Sequence, residues 1–208
     1  VEMWDKDRSG ASTHNQDIAG IGRDDQSELD QRQSRSVNDD AIVTMGLGDI
    51  AASNALNANA FTQDLLFQSC HAVCLICVAD TDADGSGLGK SSNTPGTFTR
   101  MQRVWQAQET NGEAGQVELT FDLNGLGYGA GITDYALLID DDGDFSDASG
   151  IPQDDLTAGV VTFQGVDLDD GQYFSLGVDV KCPSAPNQNY AICSDAILNL
   201  DLQTIVDT

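Results

Sequence analysis

Basic side chains are the first scarcity: 9 Lys and Arg stand against 34 Asp and Glu, for a formal charge of −25 over 208 residues. From Val104 to Val180 there are sixteen carboxylates and no Lys or Arg. Such a surface repels phosphate backbones and anionic headgroups, which excludes nucleic acid and membrane insertion as expected modes of binding. It also repels itself unless cations bind, so divalent ions or a basic partner suit it better. Histidine is nearly absent too, with 2 in the chain, and His14 falls in a polar stretch. No nucleophile–base pair stands out, and the expectation is a protein that is not an enzyme. Long apolar runs are missing: Leu65–Val78 is the most apolar segment and is too short to span a bilayer. The chain opens on Val1 with no visible signal peptide, so it is expected to be a mature product or an excised piece of something longer.

What the chain does have is aspartate at alternate positions in glycine-containing turns. Asp80-Thr-Asp82-Ala-Asp84-Gly85-Ser86 carries oxygen-bearing side chains at its first, third, fifth and seventh positions and glycine at its sixth. A short loop uses this spacing to wrap oxygen ligands around Ca²⁺. Asp140-Asp141-Asp142-Gly143-Asp144 sets Asp140, Asp142 and Asp144 in the same alternation, and Asp5-Lys-Asp7-Arg-Ser9-Gly10 does so with Asp5, Asp7 and Ser9. None has the twelfth-position glutamate of an EF-hand or obvious flanking helices. These segments are therefore expected to be Ca²⁺ loops joining strands; the bland alternative is three acidic turns. Paired aspartates can also hydrolyse glycosides, but here they cluster as ligands do.

The cysteines fall into two groups. Cys182 and Cys193 bracket a Pro/Asn-rich loop and are expected to form a disulfide in an oxidising compartment. Cys70, Cys74 and Cys77, with His71, read either as a second disulfide plus an odd thiol, as buried free thiols, or as the seed of a zinc or iron–sulfur cluster. Radical enzymes that cleave S-adenosylmethionine share the C-x3-C-x2-C spacing, but no glycine-rich cofactor segment or alternating strand–helix pattern accompanies it. Gly46-Leu-Gly48 lacks the third glycine of a nucleotide-binding turn.

A hydrophobic fraction of 40% supports a packed core. Ala41–Leu47 reads as a buried strand, Asp49–Phe61 as a short helix or loop, and Gln26–Asn38 as a helical turn or polar strand. From Arg100 onward the apolar period is two. Met101, Arg103, Trp105 and Ala107 share one face, and Val117, Leu119, Phe121 and Leu123 another. Tyr135–Ile139, Val160–Gln164 and Tyr173–Val180 follow between Gly/Asp turns. This pattern predicts an all-β fold, an antiparallel β-sandwich (jelly-roll or Ig-like) over 1–180 with long acidic loops. Residues 181–208 would add the disulfide loop and a C-terminal strand, Ala196–Val206, able to pair with a neighbouring subunit's exposed edge. Arg23, Arg32 and Arg35 are expected to pair internally with carboxylates such as Asp24, Asp25 or those of the 140s loop. Trp4 and Trp105 are expected in packing positions.

Several stretches together resemble a β-rich domain of large bacterial extracellular surface proteins and adhesins, one that recurs beside concanavalin-like lectin modules. They are His14–Asp25, Gln33-Ser-Arg-Ser-Val37, Ile42-Val-Thr44, Arg103-Val-Trp105, Gln108-Glu-Thr110, Asp134–Asp144 and Gly165–Phe174. Leu65–Pro95 and the tail after Lys181 depart from that pattern. The resemblance implies a secreted bacterial cell-surface module with no catalytic residues to carry over. The functional expectation is a non-enzymatic structural module, Ca²⁺-stabilised, assembling as a homo-oligomer or with neighbouring domains of the same protein. The alternative is an adhesin module that binds a glycan or peptide through Ca²⁺.

Overall fold

Along Val117–Leu123 every second side chain is apolar, and Val117, Leu119, Phe121 and Leu123 are all buried. A two-residue repeat can bury one face only by lying flat against a second layer, and the chain is built from many such segments. The computed structural model describes residues 14, 16–25, 28–61, 76–80, 90–91, 98–109, 112–126 and 132–179, with backbone alone at 76–80, 90–91, 98–99 and 179. Its strands are β1 Gln16–Asp24, β2 Leu29–Gln31, β3 Gln33–Arg35, β4 Val43–Leu47, β5 Ile76–Asp80, β6 Lys90–Ser91 and β7 Phe98–Met101. They continue with β8 Trp105–Glu109, β9 Val117–Asp122, β10 Tyr135–Asp140, β11 Ser149–Pro152, β12 Asp155–Thr157, β13 Val160–Val166 and β14 Tyr173–Asp179. A single 3-10 turn, Asn54–Leu56, is the helical structure among the described residues.

The strands form an antiparallel β-sandwich. One sheet runs β11-β10-β14-β8-β5-β1-β2, with β7 beside β14 and β6 beside β7; the other runs β12-β13-β9-β4-β3. Strands β7 and β8 lie on the same side of β14, Arg100 opposite Gly177 and Trp105 opposite Phe174. They are one strand interrupted at Gln102–Val104, and the alternation read from Arg100 onward runs through the interruption, with Met101, Arg103, Trp105 and Ala107 all buried. The Ser175 hydroxyl bridges the break, 3.1 Å from the Met101 carbonyl and 2.8 Å from that of Arg103. Between the sheets, Trp105 stacks on Phe174 (centroids 5.7 Å) and meets Phe121 edge-on (5.4 Å), while Phe121 meets Phe163 edge-on at 5.8 Å. Trp105 is therefore a packing residue, as its alternation predicts; Trp4 lies outside the described residues.

Both margins of the sandwich are closed by chain that changes sheets. At one margin β2 pairs with β1 and, one residue later, β3 pairs with β4. The crossing residue Arg32 donates its amide to Asn54 Oδ1 and accepts from Leu47 N at 2.7 Å. At the other margin β11 pairs with β10 and β12 with β13. Gln153 carries this crossing: its Oε1 accepts from Tyr135 N at 2.8 Å and its Nε2 donates to Thr133 O at 2.9 Å.

Two buried charged residues, Asp17 and Arg103, sit where strands leave the ladder. Arg103 is 2% exposed, with Nη1 3.5 Å from Asp17 Oδ2 and Nη2 3.7 Å from Asp40 Oδ2. Its Nη1 also donates to the Asp40 carbonyl at 2.9 Å. Asp17 occupies the irregularity of β1 at φ 51°, a conformation aspartate tolerates, and accepts from Asn38 Nδ2 at 2.7 Å. The three arginines singled out in the sequence pair internally, with Asp25 (Arg23, 2.7 Å), Asp30 (Arg32, 2.6 Å) and Asp122 (Arg35, 3.5 Å). None of these three pairs involves the 140s loop.

Candidate metal centre

All six residues of β10 are buried, which a strand achieves only when covered on both faces. Tyr135, Leu137 and Ile139 face the second sheet as part of the main core. Ala136 and Leu138 face the other way and pack with Phe145 in a separate small cluster. Asp140 continues that outer row and stands opposite Tyr173 of β14. The chain then folds back over the sheet's outer surface, so that Phe145 caps the strand it has just left. Gly143, at φ 83°, lets this turn pass the Tyr173 ring, where an added Cβ would lie 3.3 Å away. Leu138 in turn rests over Gly177, whose missing Cβ would come within 2.8 Å of Leu138 Cδ1.

This folding gathers the carboxylates. Each of Asp140, Asp142 and Asp144 offers an oxygen such that the three atoms all lie within 4.8 Å of one another. Ca²⁺ holds oxygens at about 2.3–2.6 Å, so two ligands of one ion are separated by at most about 5 Å. The triad fits one such ion. Backbone amides fix its geometry: Phe145 N donates to Asp140 Oδ2 at 2.9 Å, Asp144 N to Asp142 Oδ1 at 2.9 Å, and Ser146 N to Asp144 Oδ1 at 2.6 Å. Hydrogen bonds from Ser146, the hydroxyl first and then the amide, hold the Asp144 carboxyl below the usual range and keep it ionised. Asp140 is 4% exposed, and its Oδ1 is buried with no hydrogen bond. A buried carboxylate oxygen left this way gains from nearby positive charge, which a bound cation would add to that of Arg100. Asp140 and Asp142 also line a cleft of about 320 Å³ with Asp141, Asp147 and Gln172, the last donating to Asp141 Oδ1 at 2.9 Å.

Two neighbours bear on the site. The Arg100 guanidinium lies 4.3 Å over the Phe145 ring. Burial lowers the Arg100 pKa and the negative charge of Asp140 opposes that shift, so the two groups feel each other. His14 is buried against Tyr173 with ring centroids 5.4 Å apart, and burial pushes its pKa down to about 4.

Residues 1–172 match a family described as a domain of unknown function (DUF8202). The chain belongs to that family. No curated protein and no solved structure matches it.

Of the metal ligands expected from sequence, the structure brings together Asp140, Asp142 and Asp144. Asp80 ends β5, opposite Trp105 on one side and Gln16 on the other. Cys77 lies in the same strand, opposite Gln108 and Gly20. Asp82, Asp84, Ser86, Asp5, Asp7, Ser9, Cys70, Cys74, Cys182, Cys193 and the strand expected at Ala196–Val206 lie outside the described residues. Sequence reading missed Phe145, Arg100, Asp147 and Gln172. Phe145 could have been suspected as the single large apolar residue in an acidic turn; nothing in the sequence marks the others. His14 was expected in a polar loop and is instead buried, because Tyr173, distant in sequence, covers it.

Proposed function

We propose that the chain is a non-enzymatic, Ca²⁺-stabilised structural module of a bacterial extracellular surface or fibre protein, assembling with copies of itself or with neighbouring domains. The convergence of three aspartates within 4.8 Å, one buried with an oxygen that makes no hydrogen bond, carries this reading. Glycosidase carboxyl pairs stand about 5–9.5 Å apart to admit a sugar or water, so a tighter triad favours cation ligation over acid–base work. Asp142 and Asp144 are exposed, and an open site of this kind suits the calcium levels outside cells, where modules bind with dissociation constants of about 10⁻⁴–10⁻³ M. A bound ion would offset part of the −25 formal charge and tie the 141–148 loop to the sheet it covers.

The test is thermal melting in calcium and in EGTA, alongside sedimentation of the same samples. Calcium should raise the melting temperature and promote assembly, and EGTA should reverse both. Melts indifferent to EGTA would remove the calcium part of the reading. Deleting 196–208 examines the assembly part, because unchanged polymerisation would exclude donation of that segment. The cleft beside the triad favours a second reading, a Ca²⁺-dependent glycan- or peptide-binding module. Calcium-dependent capture on a glycan or peptide array would select it.

A further inference from the structure

Phe145 occupies a position that the metal triad alone does not explain. It is a bulky residue in the left-handed region (φ 60°), where such side chains are uncommon unless the surroundings impose the conformation. Its ring is 0% exposed, packed with Ala136 and Leu138, with Val104 and Tyr173 against the cluster and Arg100 stacked above. Its amide donates to Asp140 Oδ2, which fixes that carboxylate, while the other oxygen is buried without a hydrogen bond. Three like charges within 4.8 Å push the loop apart, whereas seating the ring pulls it onto the sheet. The ring is therefore set against the repulsion.

We propose that Phe145 is a positioning residue for the cation: burial of its ring on the outer face of the sheet holds Asp140, Asp142 and Asp144 in their converged arrangement. The proposal rests on the calcium reading of the same loop and adds its regulation. Because linkage is reciprocal, calcium binding favours the seated ring and calcium loss loosens its hold over Ala136 and Leu138.

Titration calorimetry with CaCl₂ on the full chain, wild type against Phe145→Ala and Phe145→Leu, tests it. Phe145→Ala should bind calcium at least tenfold more weakly, and Phe145→Leu, which keeps an apolar plug, should recover most of that loss. Equal affinity of wild type and Phe145→Ala overturns the positioning role while leaving the site intact. A wild type that binds no calcium overturns the site itself. Amide exchange at Phe145 in the wild type is the second measurement and needs no variant to fold. The amide should be protected in calcium and exchange faster in EGTA, and equal protection in both overturns the proposal.

Discussion

Neutralising Asp142 should change the protein's stability in opposite directions with and without calcium. In Asp142→Asn the amide oxygen can still accept from Asp144 N, a bond of 2.9 Å in the wild type, so the turn keeps its shape. What disappears is one negative charge within 4.8 Å of a buried one. At that separation a like pair repels by about 1 kcal/mol in water and about 3.5 kcal/mol at an effective dielectric of 20. Asp142 is exposed, so the lower figure applies. The substitution should therefore stabilise the calcium-free protein by about 1 kcal/mol, or about 2–4 °C for a chain of this size. In calcium the order reverses. At one hundred times its dissociation constant the ion adds about 2.7 kcal/mol to the wild type, and a tenfold weaker site adds only about 1.4 kcal/mol at the same concentration. Urea or thermal unfolding of both proteins, in EGTA and across a calcium series, reads the two curves and their crossing. The reasoning fails if Asp142→Asn is less stable than wild type in EGTA, or if its calcium increment is undiminished.

Arg103→Met should cost about 3–5 kcal/mol in urea unfolding, because it strands two carboxylates beside a buried cation's position. Adding Asp17→Asn should restore part of that loss, whereas additivity of the two substitutions would show that the ion pair is not the cause. The Glu109 carboxyl is pushed up to about 7, by burial first and then by the nearby negative charges of Glu113 and Asp167, against the hydrogen bond from Ala114 N. Between its ordinary 4.5 and about 7 the folded state holds a proton that the unfolded state has lost. Glu109 thus contributes stability that is full below about pH 4.5 and is lost as pH rises through about 7. After discounting for partial exposure the span is about 1–2 kcal/mol. The difference in unfolding free energy between wild type and Glu109→Gln, followed from pH 4 to 8, should change by that amount, and a flat difference would contradict the assignment. Gly177→Ala should destabilise by about 1–3 kcal/mol by displacing Leu138 from beneath Phe145, and a neutral effect would mean that the small outer cluster is loosely packed.

The central strands of the sandwich were readable because burial on one face writes itself as alternation. Val43–Leu47, Val117–Asp122, Tyr135–Asp140, Val160–Val166 and Tyr173–Asp179 all fall within or beside segments predicted as strands. The marginal strands were not readable: Ser149–Pro152 and Asp155–Thr157 are short and mostly exposed, so no apolar period marks them. Gln16–Asp24 carries no clear sequence signal because a bulge near Asp17 shifts its register and its inward row offers only Ala19 and Ile21, with glycines in the opposite row. The triad was legible because the loop's own sequence supplies all three ligands. Phe145's role was not, since it depends on Ala136, Leu138 and Arg100 meeting it across the outer face, and only pairing among β7, β14 and β10 brings those residues together.

The margins of the sandwich constrain how copies can meet. A sheet edge invites addition of another chain in proportion to the length of unpaired backbone it offers. Here β2, β3 and β12 have three residues each and β11 has four, ending on Pro152, which has no amide to donate. Each margin also divides its backbone between two sheets at Arg32 or at Gln153–Asp154, so an added strand would meet only a few groups in line before the edge turned away. On the assembly reading proposed above, such short and divided margins would protect copies against uncontrolled pairing. On that reading, contact through charged faces is then an alternative to donation of residues 196–208, and faces of this acidity would approach one another only with cations between them. The same ion that would hold the Asp140–Asp144 turn in place is thus of the kind that assembly at these faces would require.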